Sequence, residues 1–363
     1  TGSGTLSCGM KFDPNAAASP DSGLFGLPFT VDEAALVIVP APFDATTSYG
    51  GGASAGPAAV LEASKQVDLF DHHFGNFYER GLAMLPIPES IADLSRQART
   101  LAAPIIEAGG AAESDHAALR RINDACRACN EYTHDEFTRL LRAGKVPGLL
   151  GGDHSTPYGA IRACAEHVEH LARHGSALAE EGLGILHLDA HLDLRKHFEG
   201  FHFSHASIMR NVLDDVPAVS RLVSVGIRDY CQEEAEYAAS HPDRIKVRFD
   251  YDLEQIQWAG TSWPELCAMI VGELPPMVYV SFDIDALNPA LCPHTGTPVP
   301  GGLSFNQAVA MLVALSESGR RIVGFDLNEV CPGPSAEEPE WDANVGARIL
   351  FKLCGAALAT NPA

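Results

Sequence analysis

Hydrophobic residues along this chain gather into short runs, and longer stretches with helical spacing separate the runs. The runs are rich in Val, Ile and Leu with little polar alternation, which is typical of strands covered on both faces in a parallel sheet. The predicted strands are 35–43, 146–152, 183–190, 221–227, 244–250, 277–285 and 321–330.

Helical spacing marks residues 155–175 and 305–319, and the Ala-rich, charged stretch 90–145 is predicted to be mostly helical. Alternation of strands with helices predicts right-handed βαβ units. The fold class is therefore α/β, with three layers (α/β/α) around a central, mainly parallel sheet. We expect a flexible N-terminal arm over residues 1–30 and a single domain over residues 31–363.

Composition narrows the possible partners. The 363 residues are 46% hydrophobic, and the net charge of −22 disfavours binding to nucleic acid or to an anionic membrane. No apolar run reaches the roughly 18 residues of a transmembrane helix, and the N-terminus has neither the basic nor the apolar region of a signal peptide. The nine cysteines are scattered, which favours the reducing cytoplasm. Cys126 and Cys129 form a CxxC without a second pair, so a zinc or redox role there is disfavoured.

Polar residues follow several of the predicted strands at the point where each strand ends. In open α/β sheets, ligands bind beyond the carboxyl ends of the strands. Each such residue could also be an ordinary turn or helix-capping residue, but matching strand ends together indicate a site. The residues are Asp153 and His154 in "GLLGGDHS", Asp189, His191 and Asp193 in "HLDAHLD", Asp283 and Asp285 in "VSFDIDALNP", and Asp326 and Glu329 in "GFDLNEV".

Three of these strand ends direct two imidazoles and four carboxylates to one place, because alternate residues of a strand share a face. Carboxylates clustered in a partly buried cleft repel one another unless cations neutralise them. Two divalent ions roughly 3.5 Å apart would do so, and mixed oxygen and imidazole ligands suit Mn, Ni or Fe. The absence of a thiolate argues against a structural zinc site. The predicted metal ligands are His154, Asp189, His191, Asp193, Asp283 and Asp285.

The segments "GGDHS", "DAHLD" and "SFDIDALNP…TGTPVPGG" resemble three signature motifs of the ureohydrolase superfamily, which contains arginases, agmatinases, and guanidino-acid and guanidine hydrolases. "SYGGGASAGPAAVLEAS" is similar to the N-terminal segment of that family, and "LNEV" to its last strand end. The similar segments extend from about residue 35 to about residue 350. The resemblance implies an arginase-like fold and a hydrolase acting on C–N bonds of linear amidines.

The resemblance also implies roles for individual residues. Water activated between the two metals would attack the guanidinium carbon. Asp193 would orient that nucleophile and accept its proton, Glu329 would pair with the guanidinium, and His205 of "FSHASIM" would pass a proton to the leaving amine. Thr295, in the "TGTP" turn, and His294 are expected to contact the substrate. One metal would be held by His154, Asp189, Asp193 and Asp283, and the other by Asp189, His191, Asp283 and Asp285, with Asp189 and Asp283 bridging.

Departures from the family pattern favour a compact substrate. Agmatinases usually carry Glu where this chain has Val299, and "LNP" replaces the usual "LDP". "DAHLDLR" and "SHASIMRNV" resemble the nickel-dependent guanidine hydrolases and the related metformin hydrolases. We therefore expect guanidine or a biguanide as the substrate, with two divalent ions per chain, nickel favoured and manganese the alternative. A short apolar cavity is expected from Cys292, His294, Val299, Phe198, Phe201 and Phe203.

Two other functions stay open. One is an agmatinase, an arginase or a guanidino-acid hydrolase that releases urea. The other is a non-catalytic paralogue that scaffolds an active subunit, against which the complete ligand set speaks. The resemblance further implies a homo-hexamer or a hetero-hexamer with a paralogous subunit.

Overall fold

The computed structural model describes residues 12–333 and 340–362. These residues form one parallel sheet covered by helices. The strands are β1 Leu36–Ala41, β2 Leu82–Met84, β3 Val146–Gly151, β4 Leu183–Leu188, β5 Val219–Ile227, β6 Ile245–Phe249, β7 Met277–Asp283 and β8 Arg321–Asn328. The helices are α1 Gly56–Ser64, α2 Glu89–Glu107, α3 His116–Arg142, α4 Tyr158–Arg173, α5 Ile208–Asp215, α6 Gln232–Ser240, α7 Asp250–Trp258, α8 Trp263–Val271, α9 Phe305–Glu317 and α10 Trp341–Thr360.

The strand order brings the polar strand ends together. The order is β2-β1-β3-β8-β7-β4-β5-β6, and neighbouring strands run parallel. The strands β3, β8, β7 and β4 are therefore adjacent in the middle of the sheet. Their carboxyl ends lie at the same edge, which is the position expected for a site in an open α/β sheet.

The core lies on both faces of the sheet. Leu186 and Leu188 of β4 pack into one hydrophobic cluster, together with residues of α1, α8, α9 and α10. Ile185 of the same strand packs into the other cluster, with residues of α2, α3, α4 and α5. Alternate residues of a strand point to opposite faces, so an uninterrupted apolar run buries both faces of β4. The three-layer α/β/α prediction is confirmed.

The structure differs from the sequence-based prediction in two places. Strand β2 was not predicted, because three residues at a sheet edge are too few to show a pattern. Leu24, Phe25 and Leu27 lie within the predicted flexible arm but are buried in the core. The part of the chain that packs into the domain therefore begins before residue 31. Residues 1–11 of the predicted arm lie outside the described residues. No helix of the described chain is long and apolar enough to cross a membrane.

Candidate metal centre

The residues that follow the four central strands converge at one edge of the sheet. His154 follows β3, Asp189 follows β4, Asp283 ends β7, and Glu329 follows β8. All four side chains are buried, with at most 3% of their surface exposed. Each side chain is positioned by a different strand, so the parallel register of the sheet fixes their relative distances.

His154 lies at the centre of one ligand group. Its Nδ1 is 2.9 Å from Asp189 Oδ2, 3.1 Å from Asp193 Oδ2 and 3.3 Å from Asp283 Oδ2. The three carboxylates thus surround one imidazole nitrogen. Asp193 reaches this position with a left-handed backbone, at φ 54°, a conformation that costs a non-glycine residue about 1–3 kcal/mol. The four residues are those predicted to hold one of the two metals.

His191 lies at the centre of the second group. Its Nδ1 is 3.1 Å from Asp285 Oδ2 and 3.5 Å from Asp189 Oδ1. Asp189 therefore presents one oxygen to each histidine, as a bridging carboxylate must. Asp283 directs Oδ2 to His154, whereas its Oδ1 accepts a hydrogen bond from the Asp285 amide at 2.8 Å. Bridging by Asp283 remains a prediction.

The donor set fits divalent cations. Two ligand groups, one containing His154, Asp189 and Asp193 and the other Asp189, His191 and Asp285, bring their potential ligand atoms within 4.8 Å of one another. His154 Nδ1 is buried and makes no properly oriented hydrogen bond, although three carboxylate oxygens lie close to it. An imidazole nitrogen surrounded by carboxylates without hydrogen-bond geometry is what a shared cation would require.

The clustered histidine and carboxylates have shifted pKa values, because they are buried and many charges lie close together. Burial, and then the negative charge of Asp189, raise the pKa of Asp193 to about 6. Burial together with the charges of Asp285 and Asp189 holds the pKa of Asp283 well above its usual range. Burial alone would lower the pKa of His154, but its carboxylate neighbours outweigh burial and raise that pKa well above the usual value. Cations would take the place of these protons.

His187 is a member of the first group that the sequence analysis missed. Its Nε2 is 2.9 Å from Asp189 Oδ2, and its Nδ1 is 3.1 Å from Ser224 Oγ on β5. Burial would raise the pKa of Asp189, but His187 and the neighbouring histidines lower it well below its usual range. The signal was available, since His187 lies two residues before Asp189 and alternate strand residues share a face.

Glu329 and His205 form a separate pair beside the ligands. Glu329 Oε1 is 3.4 Å from His205 Nδ1 and accepts a hydrogen bond from the His154 amide at 3.1 Å, whereas Oε2 is buried without a partner. The Thr295 hydroxyl donates to the Glu329 carbonyl at 2.9 Å. Burial would lower the pKa of His205, but Glu329 and further carboxylates outweigh burial and raise it. His205 also lies 3.0 Å from the Ser48 hydroxyl.

A cavity of about 170 Å³ opens onto the ligands. Asp229 and Tyr230 are its exposed members, and Arg195 and Glu234 lie beside them. Glu329 is not among the described residues that line the cavity, but its carboxylate contacts His154 and His205, which are. The lining residues are Ser48, His154, His191, Asp193, Arg195, Phe198, His205, Ala206, Asp229, Tyr230, Glu234, Asp283 and Thr297.

The lining is more polar than expected. Of the six residues predicted to make the cavity apolar, Phe198 alone is among the described residues that line it. Phe201, Phe203 and Cys292 are buried in the core clusters. The imidazole Nδ1 of His294 lies 2.9 Å from Asp342 Oδ2, at the start of α10. The structure therefore does not bring His294 to the cavity wall, although it borders the turn that supports Glu329.

Known proteins share this fold and much of this sequence. The model of the arginase family matches residues 34–355. N(1)-aminopropylagmatine ureohydrolase of Thermus thermophilus is 33% identical over 302 residues, which are 83% of this chain and 84% of the relative. Agmatinase of Bacillus anthracis is 30% identical over 305 residues, 83% of this chain and 85% of the relative.

A solved structure extends the likeness to the whole fold. Proclavaminate amidino hydrolase of Streptomyces clavuligerus superposes with a TM-score of 0.69 at 23% identity, over 95% of this chain and 100% of the other. At that identity the superposition supports the fold only. The family match covers all of the sheet and the four central strand ends, so the chain belongs to the arginase family.

Proposed function

We propose that this chain is a binuclear metal-dependent ureohydrolase that cleaves a C–N bond of guanidine or of a small substituted guanidine or biguanide. The observation that carries the proposal is the pair of histidine–carboxylate groups that share Asp189 and present His154, His191 and Asp193 to one cavity. These two groups would hold two divalent cations, whose chemistry would be to lower the pKa of water and so supply a hydroxide nucleophile near neutral pH. The complete ligand set argues against a non-catalytic paralogue.

The side chains around the cavity would divide the remaining work. Asp193 lines the cavity, so its carboxylate could orient the nucleophile and accept its proton. His205 also lines the cavity and has a raised pKa, which suits a donor of a proton to the leaving amine. Glu329 Oε2 has no partner and could accept a charge-assisted hydrogen bond from a guanidinium. Thr295 would hold the Glu329 backbone in place.

The cavity favours a compact substrate for a specific reason. Arg195 lines it, with its guanidinium 4.7 Å from the centre of the Phe198 ring. Arg195 Nε is also 3.6 Å from Glu234 Oε2, so an ammonium group at the far end of a substrate would have to compete with Arg195 for that carboxylate. Guanidine itself has no such end, and the methyl groups of a biguanide would instead contact Phe198. These contacts support the compact substrate over a long dication.

A second candidate substrate is agmatine or a related long cation. Asp229 is exposed and lines the cavity, so its carboxylate could receive a distal ammonium group. The names of the relatives from Thermus thermophilus and Bacillus anthracis support the same class. Asp229 and Arg195 therefore favour opposite substrates, and the choice depends on which charge faces the bound tail.

Metal identity, assembly and compartment complete the proposal. Oxygen and imidazole ligands suit both nickel and manganese. Nickel is proposed first because of the resemblance to the nickel-dependent guanidine hydrolases, and manganese is proposed second.

A homo-hexamer, or a hexamer mixed with a paralogous subunit, would cover exposed side chains such as Trp258, Met269 and Phe70. The cysteines of the described chain are free thiols, which supports a reducing compartment, the cytoplasm. Light scattering at micromolar concentration tests the assembly, and a monomeric mass would contradict it.

The deciding experiment is a substrate panel assayed at known metal content. Stripped protein is reloaded with Ni²⁺ or Mn²⁺, and kcat/KM is measured for guanidine, metformin, agmatine, N(1)-aminopropylagmatine, arginine and guanidinobutyrate. The compact substrates are expected to exceed the long cations by about 100-fold or more, since an unmatched buried polar end costs about 3 kcal/mol. The reverse order would promote the second candidate.

Asp229→Asn provides the matched control. If a long cation is the substrate, this variant should raise KM for agmatine and leave the values for guanidine nearly unchanged. If the compact substrate is correct, the variant should change neither by much. Absence of turnover on the whole panel in protein that holds two metals per chain would leave the scaffolding paralogue as the better explanation.

A further inference from the structure

Asp326 is a buried carboxylate that the proposed chemistry does not use. It lies on β8, completely buried, beneath the ligand groups. Its Oδ1 accepts hydrogen bonds from the Ser281 hydroxyl at 3.1 Å, from the Phe282 amide at 3.1 Å and from the Asn328 side-chain amide. Its Oδ2 makes no well-oriented hydrogen bond, although the buried Tyr279 hydroxyl is close enough for each group to shift the pKa of the other. Burying a carboxylate is costly to the fold, and the contacts of Oδ1 point to a role for it.

Ser281 links Asp326 to the metal ligand His154. The Ser281 hydroxyl, on β7, lies 2.8 Å from His154 Nε2, and His154 Nε2 itself is 3.9 Å from Asp326 Oδ1. A serine hydroxyl carries one proton, and Asp326 Oδ1 already accepts hydrogen bonds from the Phe282 amide and the Asn328 side-chain amide, so this oxygen is an acceptor. The Ser281 proton therefore points to Asp326, and the Ser281 oxygen must accept from His154. His154 consequently carries its proton on Nε2.

This proton position has a direct consequence for the ligand groups. With the proton on Nε2, the lone pair of neutral His154 lies on Nδ1, the atom that faces Asp189, Asp193 and Asp283. Without Asp326, the Ser281 hydroxyl could rotate and donate to Nε2, which would favour the proton on Nδ1. That tautomer cannot bind a metal through Nδ1. Ser281 and Asp326, which do not themselves face the metals, therefore decide which tautomer His154 adopts.

The second histidine has no comparable support within the described chain. The ring of His191 is 25% exposed, and its ion-pair contacts are to Asp285 and Asp189 through Nδ1. No buried hydroxyl or carboxylate beneath that ring holds its other nitrogen in the part of the chain that the structure describes. The two ligand groups therefore differ, although each contains one histidine.

We propose that Asp326, acting through Ser281, is a positioning residue that fixes the metal-binding tautomer of His154 and so strengthens metal binding at the His154 group. The inference rests on the proposed binuclear centre. Partners that orient a ligating histidine typically contribute 10–100-fold to metal affinity. The effect should be confined to one metal, because His191 does not contact Ser281 or Asp326.

The test measures metal binding directly and does not depend on turnover. Stripped wild-type protein and Ser281→Ala are titrated with Mn²⁺, and with Ni²⁺ in a parallel series, by calorimetry against a competing chelator. In the wild type we expect two sites. In Ser281→Ala one of them, the His154 position, should weaken about 10–100-fold, and the other should be unchanged. Asp326→Asn should shift the same site in the same direction.

A variant with a single metal position makes the assignment independent of curve fitting. His191→Ala leaves the His154 group, and Ser281→Ala in that background should weaken the remaining site to the same extent. Ser64→Ala is the matched folding control, because Ser64 is also fully buried and makes two hydrogen bonds, to Leu61 and from Phe25. It removes a buried hydroxyl from α1, on another part of the molecule.

The outcomes separate this inference from the proposed function. If wild-type protein binds fewer than two metals, the binuclear centre itself is wrong. If the wild type binds two and Ser281→Ala binds both with unchanged affinity, the positioning role is rejected. Equal weakening of both sites, with a loss of metal-free stability beyond that of Ser64→Ala, would show that Ser281 and Asp326 only join β7 to β8, and would also reject it.

Discussion

At the scale of a residue, Glu329 combines an unusual backbone with an unused oxygen. Its φ is 59°, in the left-handed region, and its amide donates to the Gly152 carbonyl at 2.8 Å. Strain of this kind persists where the surroundings impose it, often at functional sites. The backbone thus directs the carboxylate to the space between His154 and His205. Two explanations remain, a substrate contact and a support for those two histidines.

Glu329→Gln distinguishes these explanations. Glutamine keeps the shape and can still accept through one oxygen, but it removes the negative charge. If Glu329 binds the guanidinium, metal content should stay at two per chain, and kcat should fall on the order of 100-fold or more. Metal analysis and steady-state kinetics measure both. Wild-type kcat would contradict the substrate contact, and loss of a metal would indicate the supporting role.

At the scale of an element, the position of the site depends on the path of the chain directly after β3. A Cβ on Gly152 would lie 2.0 Å from the Phe43 carbonyl oxygen and 2.7 Å from the Phe43 carbonyl carbon. The same carbonyl accepts the amide of Asp153 at 2.9 Å. Backbone atoms cannot move aside as a flexible side chain can, so glycine is needed here for the close approach. This close contact fixes the path of the chain just after β3, and therefore the position of His154.

Gly152→Ala should therefore displace the end of β3 and cost about 2 kcal/mol or more in the free energy of unfolding. We also expect metal affinity to fall at the His154 group. Urea unfolding of metal-free protein and metal titration measure the two effects. Gly51→Ala is the control, since a Cβ there meets only Arg99 Nη2, at 3.8 Å. Equal stability of the two variants would show that β3 tolerates the displacement.

At the scale of the whole molecule, the bound cations should change how stability depends on pH. Asp193 and Asp283 have raised pKa values, from burial first and neighbouring charge second. A group with a raised folded-state pKa contributes stability below its unfolded pKa, and that stability is lost as pH rises through the folded value. The pKa of His154 is also raised, so its contribution to stability is likewise lost as pH rises. The lowered pKa of Asp189 acts below about pH 4, outside this window.

Stripped protein should therefore lose thermal stability as pH rises from about 4 to about 7, through the pKa of Asp193 at about 6. Metal-loaded protein should lose less, because the cations balance the carboxylates. Each 1 kcal/mol is expected to shift Tm by only about 1 °C in a domain of this size. Differential scanning fluorimetry of both forms measures the difference, and the loaded form corrects for the charge of the rest of the molecule. Parallel pH profiles would contradict the prediction.

The sequence by itself determined the elements and the ligand types. Apolar-rich runs predicted each observed strand except β2, because burial of both faces leaves a local signature in the central strands. The edge strand β6 is the exception, since Lys246 and Arg248 alternate with its apolar residues. Asp189, His191 and Asp193 could be assigned to one face because they alternate at the end of β4. The family resemblance, on contiguous motifs, was also a property of the sequence alone, and the match over residues 34–355 confirmed it at family level.

Only the tertiary structure decided which residues support the ligands and which line the cavity. Ser281 and Asp326 lie 45 positions apart in the chain, and their contact depends on the pairing of β7 with β8, which no local pattern records. Phe201 and Phe203 follow a strand as Phe198 does, yet they turn into the core and Phe198 does not. The hydrophobicity of a residue predicts that its side chain will be buried. The strand order and the path of each loop determine whether it is buried in the core or in the wall of a site.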